Sequence, residues 1–376
     1  YTCLARTATG KPQTDEAVLS KVDHPFAKDY LYIQKLKKAN GTFLKGIKDE
    51  LVNGFVHPVF NLHIVTTYRS SCDSPNMHNY PKRNPEMYEL TRRAFIPKEK
   101  GRILGEVDFA GIEVRVACCY TKDPQLIKEF TGPDGDPHGD TARQLFFLTK
   151  EQVDKKTTRD WAKNRFVFPQ FYGSVFFQCA PHIWEAVEQG IKLPNSDVTV
   201  KEHLKANGVK NLGTCNPQEK PKPGTFEYHV KSVEDDFWNN RFKVFTQWKK
   251  DWWNAYCREG GFRTYTGFYV HGVYKRNEVL NYAIQGSAFH LLLWSLIQIQ
   301  KWLRKYKMKT KIINQVHDSM VLDIHPTELK TVISKIKEVI AVDLLKHWKW
   351  IIVPMNVEVE LAPPSGSWHE IVKVDM

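Results

Sequence analysis

The stretch that decides the fold is Ile312-Ile-Asn-Gln-Val-His317-Asp318-Ser319-Met-Val-Leu-Asp323. Two runs rich in apolar and β-branched residues are separated only by His317, Asp318 and Ser319, which predicts a β-hairpin over 311–324. Asp318 lies at the bend. The tip of a hairpin faces solvent and is held by the hydrogen-bonded ladder behind it, so the pattern places a candidate metal ligand on a rigid support.

A second aspartate stands at the end of a predicted strand. Ile103-Leu-Gly-Glu-Val-Asp108-Phe109 is an apolar run that leads directly into a predicted helix over 110–120. Phosphoryl transfer can use two cations about 4 Å apart, and Mg²⁺ binds through one or two carboxylates together with substrate phosphates. Asp108 and Asp318 are therefore candidate ligands. Each taken singly also fits a turn residue or a helix cap, and their spacing alone does not show that they meet.

The overall charge favours a polyanionic partner. The 376 residues include 54 Lys and Arg against 42 Asp and Glu, a formal net charge of +12. Neutralised phosphates release counterions, which is the main source of non-specific affinity for nucleic acid. The chain is long enough for two or three packed units, and its 12% aromatic content suits base stacking as well as a bulky core.

The cysteines and the hydropathy indicate an intracellular protein. The seven cysteines have no zinc-type spacing and are odd in number, which predicts reduced thiols in a cytoplasmic compartment (the host cytoplasm if a phage encodes the chain). No apolar stretch is long enough to cross a bilayer. The chain begins at Tyr1 rather than Met, so we expect a fragment or a processed piece of a longer protein. The cysteines are Cys3, Cys72, Cys118, Cys119, Cys179, Cys215 and Cys257.

The remaining pattern divides the chain into helical and β-rich parts. Residues 1–60 are helical in character, 62–68 and 351–361 read as strands, and 121–261 are mostly helical with a long exposed insertion over 193–223. A helix is also predicted over 281–302. Trp238, Phe242, Phe245, Trp248 and Trp252 recur at helical spacing, a stripe that predicts core packing more readily than base stacking.

Three motifs resemble those of the family A DNA polymerases. Asp108-Phe-Ala-Gly-Ile-Glu113-Val-Arg115 resembles the first polymerase motif and Gln315-Val-His317-Asp318 the third. Between them, Arg159-Asp-Trp-Ala-Lys163 followed by Phe171-Tyr172-Gly173 is similar to the second, which the family carries on a helix of the fingers. The three occur in the family's order.

Flanking segments extend the resemblance over nearly the whole chain. Thr67-Tyr-Arg69-Ser-Ser and Pro75-Asn76-Met-His-Asn79-Tyr-Pro81 look like the family's primer-grip segment. Asp136-Pro-His138-Gly-Asp resembles its triphosphate-contacting histidine region, and Asn281-Tyr-Ala-Ile-Gln285-Gly286 the segment near the template. One such motif alone would be weak evidence for the family, whereas six motifs in the family's order are specific evidence for it.

The resemblance implies an α+β fold shaped as a right hand, with an antiparallel palm sheet, helical fingers and a partial helical thumb. The expected segments are thumb 1–60, palm 61–120 and 262–376, and fingers 121–261. No proofreading exonuclease domain is expected, because only 107 residues precede Asp108 and they contain no separate acidic cluster. The compact thumb and the insertion favour a phage-like member.

The resemblance also implies roles for individual residues. The reaction would be template-directed addition of deoxynucleotides to a primer 3′-hydroxyl, with two Mg²⁺ ions held by Asp108, Asp318 and the carbonyl of Phe109. Asp108, Asp318 and Lys163 would be catalytic, and Glu113 would exclude the 2′-hydroxyl of ribonucleotides. The implied nucleotide-binding residues are Glu113, His138, Arg159, Lys163, Phe168 and Tyr172. The implied DNA-binding residues are Arg69, Asn76, Asn79, Arg115, Asn281, Gln285, Gln315 and His317. The partners would be primer-template DNA and dNTPs, with a separately encoded exonuclease or replication factors.

This sequence departs from the family pattern at three positions. Ser319 follows Asp318 where the family usually has Glu, so the supporting role of that acid is missing or supplied elsewhere. Asn277 stands where an arginine is expected, with Arg276 one residue out of register. The predicted fingers helix also holds one residue too many between Lys163 and Tyr172.

The extra residue leaves two alignments of the fingers helix. Anchored on Tyr172, the stacking aromatic is Phe168; anchored on Lys163, it would be Val167, which cannot stack. We favour Phe168 and Tyr172, with the additional residue absorbed in a π-bulge.

Three other functions are weighed against a DNA polymerase. A single-subunit RNA polymerase shares the Asp–Lys–Asp pattern, but Glu113 argues against it because such an enzyme has to admit the 2′-hydroxyl. An inactive nucleic-acid-binding scaffold would not need Asp108, Lys163 and Asp318 together. A nuclease would need an acidic constellation that the first 107 residues lack.

Overall fold

The computed structural model describes residues 5–7, 9–81, 84–132 and 135–376. Contacts divide the chain into two compact units. The first unit comprises Tyr1–Ala110, Leu291–Val342 and Asn356–Met376, and the second comprises Gly111–His290 and Asp343–Met355. The predicted division into thumb, palm and fingers has other boundaries and stays a prediction. The predicted thiol of Cys3 lies outside the described residues.

The secondary structure is mixed. The strands are β1 (Leu51–Val52), β2 (Phe55–Val56), β3 (Val59–Asn61), β4 (Ser71–Asp73), β5 (Ile103–Phe109), β6 (Gly261–Arg263), β7 (Tyr269–His271), β8 (Lys311–Val316), β9 (Ser319–Ile324), β10 (Val357–Leu361) and β11 (Val372–Val374). The α-helices are α1 (Glu16–Leu19), α2 (Pro25–Lys38), α3 (Lys45–Asp49), α4 (Pro85–Arg92), α5 (Ile112–Thr121), α6 (Pro124–Thr131), α7 (Pro137–Phe146), α8 (Thr158–Ala162), α9 (Phe168–Phe171), α10 (Phe176–Val187), α11 (Val200–Ala206), α12 (Phe226–Asp236), α13 (Lys243–Glu259), α14 (Arg276–Lys305), α15 (Leu329–Glu338) and α16 (Leu344–His347). Short π-helices occupy Ala39–Leu44, Lys163–Val167, Phe237–Arg241 and Val339–Asp343, and 3₁₀ turns occupy Met77–Asn79, Pro326–Glu328 and Trp368–Glu370.

A five-stranded antiparallel sheet organises the first unit. Its order is β11-β10-β5-β9-β8, so β5 is the central strand. Every residue of β5 except Asp108 is buried, which explains why its sequence is apolar rather than alternating. Gly105 is required by close packing, since a Cβ there would lie 2.8 Å from Cδ1 of Ile324 and 3.0 Å from Cδ2 of Leu361. The predicted strand over 103–109 and the hairpin over 311–324 are confirmed.

The core of the first unit lies against this sheet. Phe43, Tyr80, Phe95 and Trp368 form a chain of aromatic contacts with successive centroid distances of 5.3, 5.2 and 5.7 Å. Leu104 of β5 belongs to the same buried cluster. These side chains connect the helices of residues 25–49 to the sheet, because Phe43 lies in the first π-helix.

The second unit is mainly helical and has an aromatic core. Phe171 packs against Phe237, Trp238 and Phe245 with centroid distances of 5.8, 5.8 and 5.6 Å. Helix starts are capped as the sequence would suggest: Asp123 accepts from the first turn of α6, and Thr199 with Glu202 forms a capping box on α11. Packing and capping together fix the helices of this unit that carry its predicted site residues.

Four sequence predictions need correction. Residues 62–68 are not a strand, because Leu62 and Ile64 face solvent and a turn bonds the Tyr68 N–H to the Val65 carbonyl. The final strand is shorter than predicted, starting at Val357. The aromatic stripe does not lie on one continuous helix, since a π-helix ends at Phe242 before α13 begins, although Phe242 and Phe245 are buried as expected for core.

The fourth correction concerns the predicted exposed insertion over 193–223. It contains helix α11, and it buries Leu193, Val200, Leu204 and Val209. The Pro, Asn and Lys content of this segment predicted an exposed loop, although these four buried apolar side chains pack it against the second unit. The segment is therefore a packed part of that unit.

Six of the seven cysteines lie within the described residues. The six cysteines within the described residues are free thiols, and four of them (Cys72, Cys118, Cys119 and Cys179) are buried. Among the described helices, none combines the length and the apolar character needed to cross a membrane.

Candidate active site and nucleic-acid interface

One predicted metal ligand lies on a strand of the first unit and the other in the turn before the neighbouring strand. Asp108 on β5 is directly opposite Ser319 on β9, and Asp318 is the next residue of the hairpin. The N–H of Phe109 donates to the carbonyl of Asp318 over 3.3 Å, which brings the two carboxylate-bearing segments together. Both aspartates are half-buried at the end of a buried sheet. Asp108, Phe109 and Asp318 are thus brought together.

The hairpin tip has an unusual backbone. Val316 pairs with Ser319, so only His317 and Asp318 form the loop, and His317 adopts a φ of 53°. Two-residue hairpin loops need positive φ because their twist must match that of the strands. A non-glycine residue pays a conformational cost there, and the ladder behind it enforces this geometry.

The predicted primer-grip residues converge on the same hairpin. Ser70 Oγ donates to Oε1 of Gln315 over 2.5 Å, and Nε2 of Gln315 donates to the carbonyl of His317 over 2.8 Å. The ring of His317 lies 5.6 Å from that of His78. Arg69 contributes to the electrostatic environment of His78. The first unit therefore gathers polar side chains from both motifs beside Asp318.

His78 is a site residue that the sequence reasoning missed. Burial, and next the neighbouring His317, lower the pKa of His78. Its N–H donates to Oδ1 of Asn76, whose side chain caps the 3₁₀ turn Met77–Asn79. Asn76 and Asn79 are exposed on that turn. The signal was present in the sequence, since His78 lies between the two asparagines that the motif singled out.

In the second unit, the predicted triphosphate-binding residues form one cluster. The side chain of Arg159 makes a bidentate ion pair with Asp136, with Nε–Oδ2 and Nη2–Oδ1 distances of 3.1 and 2.8 Å. Asp136 also caps α7, accepting from the N–H of Gly139. The same carboxylate thus positions both Arg159 and the helix that carries His138.

His138 is held as a neutral ring in that cluster. Burial, followed by the positive charges of Arg159 and Lys163, lowers the pKa of His138 to about 4. Its ring packs edge-on against Phe168 with a centroid distance of 5.6 Å. Nζ of Lys163 lies 5.4 Å from the centre of the Phe168 ring. His138, Arg159, Lys163 and Phe168 therefore lie close together, and their predicted role in nucleotide binding stays a prediction.

The extra residue of the fingers helix is absorbed by a π-helix over Lys163–Val167, which confirms the predicted bulge. The N–H of Phe168 donates to the carbonyl of Lys163, five residues earlier. Val167 is fully buried, and Phe171 belongs to the aromatic core, so neither is available to a nucleotide. Phe168 is instead half-buried beside Lys163, and Tyr172 is exposed. This geometry favours the alignment anchored on Tyr172.

Tyr172 connects two further predicted positions. Its hydroxyl donates a hydrogen bond to the carboxylate of Glu113. Its carbonyl lies 3.5 Å from Nδ2 of Asn281, a weak hydrogen bond. Asn277, the unexpected residue at an arginine position, donates to the carbonyl of Gly173 over 3.2 Å. Asn277 and Asn281 of α14 therefore contact the backbone that directly follows α9.

The remaining predicted DNA-binding residues are Arg115 and Gln285. Nη1 of Arg115 donates to the carbonyl of Pro354 over 2.5 Å, a contact within the second unit. Gln285 is half-buried on α14, four residues after Asn281 and so on the same helix face.

A half-buried lysine of the second unit, Lys249, was not predicted. Nζ of Lys249 lies 3.1 Å from the centre of the Trp238 ring, and burial, followed by Arg276, lowers the pKa of Lys249 to about 7. Together with Tyr172 and Asn281, these residues line a cavity of about 210 Å³. The stripe of tryptophans suggested only core packing, so sequence pattern gave no reason to expect a cation here.

Comparison with known proteins shows the family. The model of DNA polymerase family A matches residues 2–190 and 270–370, which is most of the chain. The chain belongs to DNA polymerase family A. Segment 191–269, which includes α11, α12 and α13, lies outside the matched ranges.

Curated relatives and a solved structure agree with this assignment. DNA polymerase I of Chloroflexus aurantiacus is 26% identical over 99% of this chain and 36% of its own length. DNA polymerase I of Bacillus subtilis is 24% identical over 98% of this chain and 37% of its own length. The chain therefore spans little more than a third of the length of these relatives.

The polymerase domain of Pol1 from M. smegmatis, solved in complex with DNA primer-template and dNTP, superimposes with a TM-score of 0.73 at 21% identity. The match covers 97% of this chain and 57% of that one. The likeness confirms the predicted α+β polymerase fold.

Proposed function

We propose that this chain catalyses template-directed addition of deoxynucleotides to the 3′-hydroxyl of a DNA primer. The observation that carries the proposal is that Asp108, near the end of β5, lies beside Asp318, in the turn before the neighbouring strand β9, and that the N–H of Phe109 bonds the carbonyl of Asp318. Family membership supplies the reaction class. The substrates proposed are primer-template DNA and dNTPs, the molecules named in the complex of the M. smegmatis domain.

The donor chemistry suits two Mg²⁺ ions. Asp108, Asp318 and the carbonyl of Phe109 offer hard oxygen ligands, and Mg²⁺ usually takes one or two carboxylates and completes its shell with water and substrate phosphates. Within the described residues, no group of three or more His, Cys, Asp or Glu side chains is arranged for a metal. We therefore do not propose a site in which protein side chains supply every metal ligand. When bound, the ions would activate the primer hydroxyl and neutralise developing charge on the triphosphate.

The side chains of the second unit suit a triphosphate. Lys163 and Arg159 lie four residues apart, and Arg159 is already oriented by Asp136. Pre-placed cations stabilise charge that develops on phosphoryl oxygens without reorganising during the reaction. Because the pKa of His138 is lowered to about 4, its ring is neutral and can donate a hydrogen bond, and its charge does not change near neutral pH. Phe168 and Tyr172 would contact the incoming nucleotide, and Glu113 would exclude ribonucleotides.

The first unit would hold the primer end. Arg69, Gln315 and His317 are gathered beside Asp318, where they can bond the minor-groove acceptors that every base pair presents. Such contacts test the shape of a pair rather than its sequence. Asn76, Asn79, Arg115, Asn281 and Gln285 would contribute further contacts to DNA.

Primer extension on a defined template tests the proposal. The purified chain should extend the primer with each complementary dNTP in Mg²⁺, discriminate against rNTPs, and stop when EDTA removes the metal. Equal use of rNTPs would favour an RNA polymerase. DNA binding without extension in any divalent cation would favour the inactive scaffold.

A further inference from the structure

A buried carboxylate, that of Glu106, lies on the same strand as Asp108. Glu106 is two residues before Asp108 on β5, so the two side chains emerge on the same face of the sheet. Ser319 is directly opposite Asp108 and points to that face as well. The hydroxyl of Ser319 lies 3.0 Å from Oε1 of Glu106 and 3.0 Å from the carbonyl of Val316, so its single proton goes to one acceptor at a time.

Two side chains contact the other carboxylate oxygen of Glu106. Nε1 of Trp368 donates to Oε2 over 2.9 Å, and Nη1 of Arg92 lies 3.5 Å from the same oxygen. The guanidinium of Arg92 stacks on the Trp368 ring at 3.8 Å. Glu106 and Arg92 are 3% and 2% exposed, so this ion pair is sealed from water. A buried carboxylate with donors on both oxygens is fixed in one orientation.

This arrangement is relevant to the glutamate that the family usually has after the aspartate of the hairpin, and that this chain lacks. Ser319 occupies the position after Asp318, where the family usually has Glu, and its small side chain reaches across to a carboxylate on the neighbouring strand. We propose that Glu106 is a positioning residue that takes over, from β5, the role of that acid. Through its contact with Ser319, Glu106 fixes the hairpin beside Asp318. Its negative charge lies on the same face of the sheet as Asp108.

The proposal rests on the proposed function, and it predicts an effect on cation binding that a purely structural ion pair would not have. Outer carboxylates that orient metal ligands change metal affinity or activity by ~10–100-fold when removed. Glu106→Gln keeps the shape and removes the charge. We therefore expect weaker binding of Mn²⁺ and a lower kcat, with little change in KM for dNTP or in DNA affinity.

The chain offers a matched control on the same strand pair. Asp323 lies at the far end of β9 and forms a buried ion pair with Arg102, with an Nε–Oδ1 distance of 2.6 Å and exposures of 6% and 7%. Asp323→Asn breaks a comparable ion pair away from Asp108. Thermal melting identifies a temperature at which both variants are folded, and all comparisons are made below it.

The deciding measurement is Mn²⁺ affinity by EPR on the protein without nucleotide. Glu106→Gln should bind Mn²⁺ about tenfold more weakly than wild type, while Asp323→Asn stays within twofold. Equal affinities in the two variants overturn the proposal, whatever their turnover. If the wild type does not extend primers, the proposed function fails, and the Mn²⁺ comparison still decides this inference.

Two further variants complete the test. Ser319→Ala leaves the Glu106–Arg92 pair intact and should weaken Mn²⁺ binding in the same direction, which keeps the proposal testable if Glu106→Gln does not fold. Adding Ser319→Glu to Glu106→Gln restores a carboxylate at the position usual in the family, and Mn²⁺ affinity should recover. If the double variant binds Mn²⁺ no better than Glu106→Gln alone, Glu106 is not the substitute for that acid.

Discussion

The hydroxyl of Tyr172 donates a hydrogen bond to the carboxylate of Glu113 within the second unit. Glu113 lies in the first turn of α5, and Tyr172 directly follows α9. The bond therefore joins two of the motifs that identify the family. It also fixes the direction of the carboxylate that we propose excludes ribonucleotides.

Glu113→Ala should relax sugar selection. Without the carboxylate, a 2′-hydroxyl no longer meets a charged group, so kcat/KM for rNTPs should rise relative to dNTPs. The measurement is the ratio of the two kcat/KM values on one template. Tyr172→Phe, which removes only the hydrogen bond that orients the carboxylate, should produce a smaller change in the same direction. An unchanged ratio in Glu113→Ala would place the sugar gate elsewhere.

Phe168→Tyr should improve acceptance of dideoxynucleotides. Phe168 lies beside Lys163 and His138. If Phe168 lies beside the sugar of the incoming nucleotide, as we propose, a hydroxyl on its ring would come near the position of the absent 3′-oxygen. The matched control is Val167→Tyr, which places the same ring one residue away, about 100° around the helix. Because Val167 is fully buried, that variant should lose activity broadly. A gain in dideoxy acceptance by Val167→Tyr alone would contradict the assigned alignment.

His138 should make the protein sensitive to acid. Its pKa is lowered to about 4 in the folded state, against about 6.5 in an unfolded chain, so the unfolded state binds the proton first. The stability that depends on the neutral ring is fully present above pH 6.5 and is lost as the pH falls towards 4. Between pH 7 and 4.5, wild type should lose about 2 kcal/mol more unfolding free energy than His138→Phe.

Urea unfolding at the two pH values measures this difference. His182→Phe, a change at a histidine with a 70% exposed side chain on α10, serves as the control and should behave as wild type does. If His138→Phe and wild type lose stability equally, the His138 ring is not kept neutral by its surroundings.

Several parts of the fold follow from sequence because local pattern and burial agree. The strand of Asp108 and the hairpin of Asp318 are apolar runs bounded by polar turns, and both are confirmed. The extra residue before Tyr172 required a π-bulge once the downstream motif was taken as the anchor, and the structure has one. The predicted strand over 62–68 was wrong because its apolar residues find no partner strand.

Other features depend on contacts that sequence does not encode. The pairing of Glu106 with Ser319 requires the register of β5 against β9, and the two residues are 213 positions apart in the sequence, with no local pattern that indicates the contact. Lys249 of α13 lies over the ring of Trp238, which belongs to the π-helix Phe237–Arg241, and the sequence pattern indicated neither the contact nor the π-helix. Which residues contact DNA and nucleotide stays a prediction for every position named above.

The most direct test of the central claim is single-turnover nucleotide addition by Asp108→Ala and Asp318→Ala in Mg²⁺. Each change removes a carboxylate placed where charge develops, so the rate should fall by at least ~10³-fold. Affinity for primer-template DNA should stay within a few fold of wild type, and Asp323→Asn should remain active. Addition by either alanine variant at the wild-type rate would contradict the assignment of Asp108 and Asp318 as the metal-binding pair of the polymerase site.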